Sequence, residues 1–142
     1  MKGTYVLLIK LEKPKRIRIG SLGFVSFRKG YYAYVGSGLN SLEKRIERHF
    51  SRNKKRFWHI DYFLEWAKPE GVIYFESGKM ECEVAGKLRE EFECVRNFGC
   101  SDCKCESHLF CSEKPMEKRV VSIIRNLRGL QSPPRILRAG VF

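Results

Sequence analysis

Tyr31-Tyr32-Ala33-Tyr34-Val35-Gly36-Ser37 is aromatic and β-branched up to a glycine, and Asn40 or Ser41 just beyond it offers a cap for Leu42, Ile46 and Phe50 at four-residue spacing. A strand that stops at a glycine and passes directly into an amphipathic helix sets the plan. Upstream, Thr4 to Leu11 is a further Tyr-, Val-, Leu- and Ile-rich strand ending at the polar turn Glu12-Lys13-Pro14-Lys15, and Arg16 to Gly20 alternates with period two, so the two read as a hairpin. Gly20 to Gly23 reads as a turn and Phe24 to Phe27 as a short strand, which makes the first third a small antiparallel sheet.

Downstream, the helix runs to about Phe50, and a basic connector, Arg52-Asn53-Lys54-Lys55-Arg56, follows. Trp58 to Trp66 is dense enough in apolar residues for a buried second helix, ended by Pro69. Gly71 to Phe75 reads as a strand, and Met80 to Phe92 as a third helix with Met80, Val84, Ala85, Leu88 and Phe92 inward. A Gly- and Cys-rich loop from Asn97 leads to a strand at His108-Leu109-Phe110. A basic amphipathic helix, about Met116 to Leu127, and a Pro-containing tail complete the chain. The expected fold is therefore α+β: a small antiparallel or mixed central sheet flanked by helices over residues 1–112, with a basic helical extension and tail over 113–142.

At 142 residues with 43% apolar and 13% aromatic content, the chain is long enough for one core and short for two. No run reaches the roughly 18–20 apolar residues that span a bilayer. Met1-Lys2 leads into a strand-like segment without a small-residue cleavage site, so a cytoplasmic, non-membrane protein is expected. Lys and Arg outnumber Asp and Glu by 28 to 16, for a net charge of +12. Such an excess on a small surface points to a polyanion, and nucleic acid fits better than a membrane because no basic helix carries a large aromatic face.

Arg45 and His49 are helical neighbours beside the apolar stripe, able to point along the sheet edge toward Tyr34. A guanidinium there suits a phosphate; the plain alternative is a solvated face. His59 reads as a residue that caps or packs the second helix, and Asp61, two positions on, does not face it.

Gly3-Thr4-Tyr5, Tyr34-Val35-Gly36-Ser37, Arg45 and His49, taken in order, resemble the GIY-YIG nuclease superfamily. Tyr31 to Ser37, Trp58-His59-Ile60-Asp61-Tyr62 and Ser101-Asp102-Cys103-Lys104-Cys105 are similar to its small prokaryotic, Uri-type branch, sometimes fused to endonuclease III. The resemblance covers about residues 3 to 112, with Thr4 in place of the middle isoleucine and extra strand material between the two tyrosines. It implies Tyr5 as the base, Tyr34 as an orienting group, Arg45 as the phosphate stabiliser and a glutamate on a later helix as the single metal ligand; His49 reads as a residue that contacts the scissile phosphate or assists proton transfer. A tyrosine works as a base only if nearby cations lower its pKa from about 10. Of the candidate glutamates, Glu81 stands on the margin of the buried stripe, whereas Glu83 aligns with Lys87 and Glu90 on the wet side. Glu81 is the expected ligand, and one carboxylate implies one Mg²⁺ or Mn²⁺.

Six cysteines without a secretory signal are expected to be reduced, metal-bound or buried. Cys100, Cys103, Cys105, His108 and Cys111 form a compact C-x2-C-x-C-x2-H-x2-C run with more soft ligands than a tetrahedral Zn²⁺ site needs, while Cys82 and Cys94 stand apart. Buried free thiols or a disulfide are the alternatives.

The combined expectation is a metal-dependent endonuclease that cuts DNA, gripped by Lys44, Arg48, Arg52, Lys54, Lys55 and Arg56. The link to endonuclease III suggests a repair-protein partner. The competing expectation is an accessory module with the same fold that binds nucleic acid without cutting it.

Overall fold

A computed structural model describes residues 1–140; the last two residues of the expected tail, Val141 and Phe142, lie outside the described residues. The strands are β1 (Gly3–Leu11), β2 (Lys15–Arg18), β3 (Phe24–Phe27), β4 (Gly30–Gly38), β5 (Lys68–Glu76), β6 (Glu93–Cys94), β7 (Leu109–Ser112) and β8 (Arg135–Arg138). The helices are α1 (Leu42–Phe50), α2 (His59–Phe63), α3 (Glu81–Arg89) and α4 (Glu117–Arg125). Six strands form one sheet in the order β6-β7-β4-β1-β5-β8, every pairing antiparallel, and the fold is α+β with helices on both faces.

β1 is central because its sequence is apolar on both sides. Tyr5, Leu7 and Ile9 join Leu42 and Ile46 of α1, Ile60 and Phe63 of α2, and Tyr32 and Tyr34 of β4 in one core. Val6 joins Ala33, Val35 and Phe75 with Val84 and Leu88 of α3 and Val120 and Ile124 of α4 in the other. Two-sided burial of this kind produces the near-continuous apolar run that the strand shows.

The expected β1–β2 hairpin does not form. Both edges of β1 are taken by β4 and β5, and β2 pairs instead with β3 as a separate two-stranded ribbon. The reason lies in β2, where Lys15, Arg16 and Arg18 are exposed and only Ile17 is buried, so the ribbon covers one edge of the first core instead of entering the sheet.

The second helix is shorter than its apolar density suggests: α2 spans His59–Phe63 and closes in turns through Ala67. Pro69 drives this, since a residue before proline is pushed to extended backbone. Pro69 itself lies within β5, opposite Ile9 where the β1–β5 register shifts, a bulge that tolerates its missing N–H.

The segment from residue 113 is built into the same body. Val120, Val121, Ile123 and Ile124 of α4 are buried in the second core, and the tail supplies β8, the outer strand beside β5. Among the described residues no helix is long and apolar enough to cross a membrane.

Candidate functional site

Tyr5 lies on β1 directly opposite Gly36 on β4, and its ring covers that glycine: a Cβ at Gly36 would run into the Tyr5 ring and hydroxyl. The two motifs thus meet as one packed unit. The Tyr5 hydroxyl lies 2.5 Å from His49 Nε2, and the Tyr34 ring sits 6.0 Å from that imidazole and 6.5 Å from the Tyr5 ring. Burial, reinforced by neighbouring Tyr34, pushes the Tyr5 phenol well above its ordinary value despite the opposing pull of Arg45. Burial does the same to Tyr34. His49 is lowered to about 3, first by burial and then by Lys54, so it is neutral, and its Nδ1 is buried without a hydrogen-bond partner among the described residues. His49 therefore stands behind Tyr5, buried and bonded to its hydroxyl, with its ring toward Tyr34. Standing seven residues after Leu42 and three after Ile46, it falls on the buried face of α1 with them.

Ser37, at the end of β4, ties the polar half of the site together. Its hydroxyl donates to Glu81 Oε2 at 2.8 Å, and its carbonyl accepts a short hydrogen bond from the Arg45 guanidinium. Glu81 opens α3 and faces the cleft, while Glu83 is exposed. Thr4 fixes where α3 begins. It points to the opposite face from Tyr5, is fully buried, shares a hydrogen bond with Ser77 Oγ at 3.0 Å, and accepts from the Met80 N–H at 3.3 Å. Thr4 therefore does a task that an isoleucine at this position would not do.

Trp58 lies between two guanidinium groups, with Arg45 at 4.4 Å and Arg48 at 4.5 Å from its ring centre. Arg48 is held by both oxygens of buried Asp61, at 2.7 and 2.9 Å, and Asp61 also accepts from the Phe57 and Trp58 amides. Burial works to raise the Asp61 pKa, but the Arg48 and main-chain hydrogen bonds overcome it and the carboxyl sits below its usual value. Lys54 donates to the Arg48 and His49 carbonyls at the end of α1. Of the six cations expected to grip DNA, Arg48 and Lys54 are thus committed inside the fold. Lys44, Arg52, Lys55 and Arg56 are exposed.

These groups line an open cleft of about 470 Å³ where Tyr5, Tyr34, Arg45, Trp58, Glu81 and Asp102 converge. His59 Nδ1 accepts from the Gly99 N–H at 2.9 Å, so this histidine anchors the 97–108 loop that forms one wall.

The cysteines gather differently from the sequence pattern. Cys82, Cys103, Cys105 and His108 place one ligand atom each within 4.8 Å of one another, a group that could hold a metal ion. Cys100 and Cys111 are not part of it. Cys100 is buried and directs its thiol to the Glu106 carbonyl, and Cys111 lies three strand residues beyond His108, about 10 Å away along β7, beside Arg28. Cys82 comes from the first turn of α3, next to Glu81. Burial raises the Cys82 thiol and, with hydrogen bonds that the Cys105 thiol donates to Cys82 and Cys103, pushes Cys105 up to about 12; it lowers His108.

A family model described as Domain of unknown function DUF123 matches residues 4–129. The chain belongs to the DUF123 family. No curated protein and no solved structure matches it. The DUF123 match carries no described activity and makes no connection to the GIY-YIG superfamily; it runs from Thr4 past the end of α4 and so takes in Tyr5, Ser37, Arg45, Glu81 and the whole Cys/His group. The resemblance to GIY-YIG nucleases implies Tyr5, Tyr34, Arg45 and Glu81 as one site, and the structure lines a single cleft with all four. It had passed over Ser37, Trp58, Asp61 and Cys82 as site components. Ser37 ended a quoted motif, but its dual role depends on α3 crossing the opposite face of the sheet, which no local pattern reveals.

Proposed function

We propose that this chain is a metal-dependent endonuclease that hydrolyses phosphodiester bonds in DNA. The observation that carries it is the two-sided hold of Ser37, which sets Arg45 and Glu81 in one cleft with Tyr5 and Tyr34 in a chain of net charge +12. A phosphate entering that cleft meets the Arg45 guanidinium, kept flat by the Trp58 ring, whose fork of donors matches the charge that grows on a pentacovalent phosphorus.

Glu81 presents a single hard carboxylate oriented by the Ser37 hydroxyl, which fits Mg²⁺ or Mn²⁺ retaining most of its waters. Such a cation, when bound, supplies charge that offsets the phosphate and makes nearby water and phenol more acidic. Tyr5 is too weak an acid to begin as a phenolate. Its hydroxyl, held by His49 Nε2, instead accepts a hydrogen bond from the attacking water and orients it, and the water's proton leaves to solvent. Oxygen then bonds to phosphorus, the bond to the leaving sugar oxygen breaks, and that oxygen takes a proton from solvent. Tyr34 packs against Tyr5 and His49 and fixes the orientation of the Tyr5 hydroxyl.

Lys44, Arg52, Lys55 and Arg56 hold the backbone in this reading, without base specificity. A DNA-repair protein is the matching partner class, and a structural zinc matches the thiol group.

The test is incubation with branched, nicked and single-stranded DNA plus Mg²⁺ or Mn²⁺, expecting cleavage that disappears in Arg45→Ala and Glu81→Ala. Cleavage persisting in both variants would rule the site out. The raised phenol pKa values of Tyr5 and Tyr34 favour the second reading, a nucleic-acid-binding module that does not cut, and salt-sensitive binding without cleavage on every substrate would select it.

A further inference from the structure

We infer that Cys82, Cys103, Cys105 and His108 form a closed zinc site whose task is to fix the first turn of α3, and with it Glu81, against the loop that walls the cleft. The ligand set is three thiols and one imidazole, the composition of closed structural zinc sites. Ligands about 2.0–2.3 Å from a tetrahedral ion stand about 3.3–3.8 Å apart, so atoms already within 4.8 Å of one another need to close by only about 1 Å. Cys103 Sγ and His108 Nε2 are 3.5 Å apart. The His108 ring also bonds the Val35 main chain, the kind of second partner that orients a metal-ligating imidazole.

The site joins elements far apart in sequence. Cys82 lies on α3, Cys103 and Cys105 on the loop, and His108 at the start of β7, next to the strand carrying Tyr34. Short loops with few apolar side chains are poorly held by packing, and the stretch from Cys100 to Glu106 is mostly exposed. A metal clip there closes a long loop, from Cys82 to Cys103, where cross-linking has most effect. On binding, each thiol gives up its proton, so Zn²⁺ exchanges for up to three protons and the filled site carries one net negative charge, suited to a strongly basic chain. The zinc site stands apart from the nuclease reading; only its consequence for Glu81 as a catalytic metal ligand rests on that reading.

The experiment uses the full chain purified without chelator. Elemental analysis is expected to give about one zinc per chain, and cobalt substitution the intense visible bands of a tetrahedral thiolate site. Cys82→Ser is expected to lose stoichiometric metal, whereas Cys100→Ser and Cys111→Ser retain it. Because a ligand variant can fail to fold, alkylation of the wild-type protein followed by mass mapping is the second measurement: Cys82, Cys103 and Cys105 should be shielded until a chelator is added, while Cys94 and Cys111 react in both states. Absence of stoichiometric metal, equal reactivity of all six thiols with zinc present, or loss of metal from Cys111→Ser but not Cys82→Ser would overturn the site. Hydrogen exchange reads its structural role, with faster exchange expected in the first turn of α3 after zinc removal; unchanged exchange there would overturn the clamp. Neither readout depends on DNA cleavage, so a zinc-loaded, clamped protein that cuts nothing would count against the nuclease reading alone.

Discussion

Tyr5 and His49 share a hydrogen bond of 2.5 Å in the middle of the first core, with the imidazole neutral and its Nδ1 without a partner among the described residues. The His49 pKa of about 3 is set by burial and then by Lys54, Arg48 and Arg45, against the opposing pull of Asp61. The unfolded chain therefore binds a proton that the folded chain refuses between about pH 6.5 and pH 3. Stability is full above pH 6.5 and falls as pH drops through that window, with a slope approaching about 1.4 kcal/mol per pH unit from this residue. His59 and His108 are also lowered by burial, so urea titrations of wild type and His49→Gln at several pH values should be subtracted. A shallower slope in the variant is the expected outcome.

Removing the other member of the pair separates packing from chemistry. Tyr5→Phe keeps the ring over Gly36 but leaves His49 Nε2 buried and unpaired, a cost of about 1–3 kcal/mol. Loss of the hydroxyl that orients the attacking water should lower DNA cleavage by about 10²-fold or more with binding unchanged. A Tyr5→Phe enzyme that cuts at the wild-type rate would remove Tyr5 from the mechanism.

How far the sequence could be read follows from which contacts are local. The strand–glycine–helix run at Tyr31 to Phe50 placed β4, the Ser41 cap and α1, because each depends on neighbours within a few residues. Glu81 was separable from Glu83 by helical rotation alone. Cys82 was not assignable to the thiol group, since its partners come from a loop some twenty residues on, brought near by packing of α3 on the sheet. The β1–β2 hairpin failed for a related reason: adjacency in sequence lost to the two-sided burial of β1, which needs β4 and β5 as neighbours.

Ser37→Ala isolates the link between Arg45 and Glu81. The carbonyl that accepts from Arg45 remains, while the hydroxyl that orients Glu81 is lost. Binding of Mn²⁺, followed by its paramagnetic resonance signal, should weaken by about 10- to 100-fold, the usual effect of losing a group that orients a metal ligand. Glu81→Gln should abolish it. Equal Mn²⁺ affinity in wild type and both variants would place the ion elsewhere.

Asp61 carries the same direction of pH dependence as His49 into more acid solution. Its carboxyl is held below the usual value because Arg48 and the Phe57 and Trp58 amides outweigh burial, so the folded state favours the charged form. The stabilisation is present above the unfolded pKa of 3.8 and is lost as pH falls through the lower folded value, a window that opens at the acid end of that of His49. Asp61→Asn removes the charge that neutralises Arg48 and weakens the hold on the start of α2, costing about 3 kcal/mol at neutral pH. The freed Arg48 would also loosen Trp58, which stacks on Arg45, so the variant should lose DNA affinity although Asp61 itself is buried. Melting temperatures at pH 7 and pH 3 give the stability difference, which should shrink in acid, and a salt series of binding isotherms gives the affinity. A variant that binds DNA as tightly as wild type while showing the stability loss would confine Asp61 and Arg48 to a structural role.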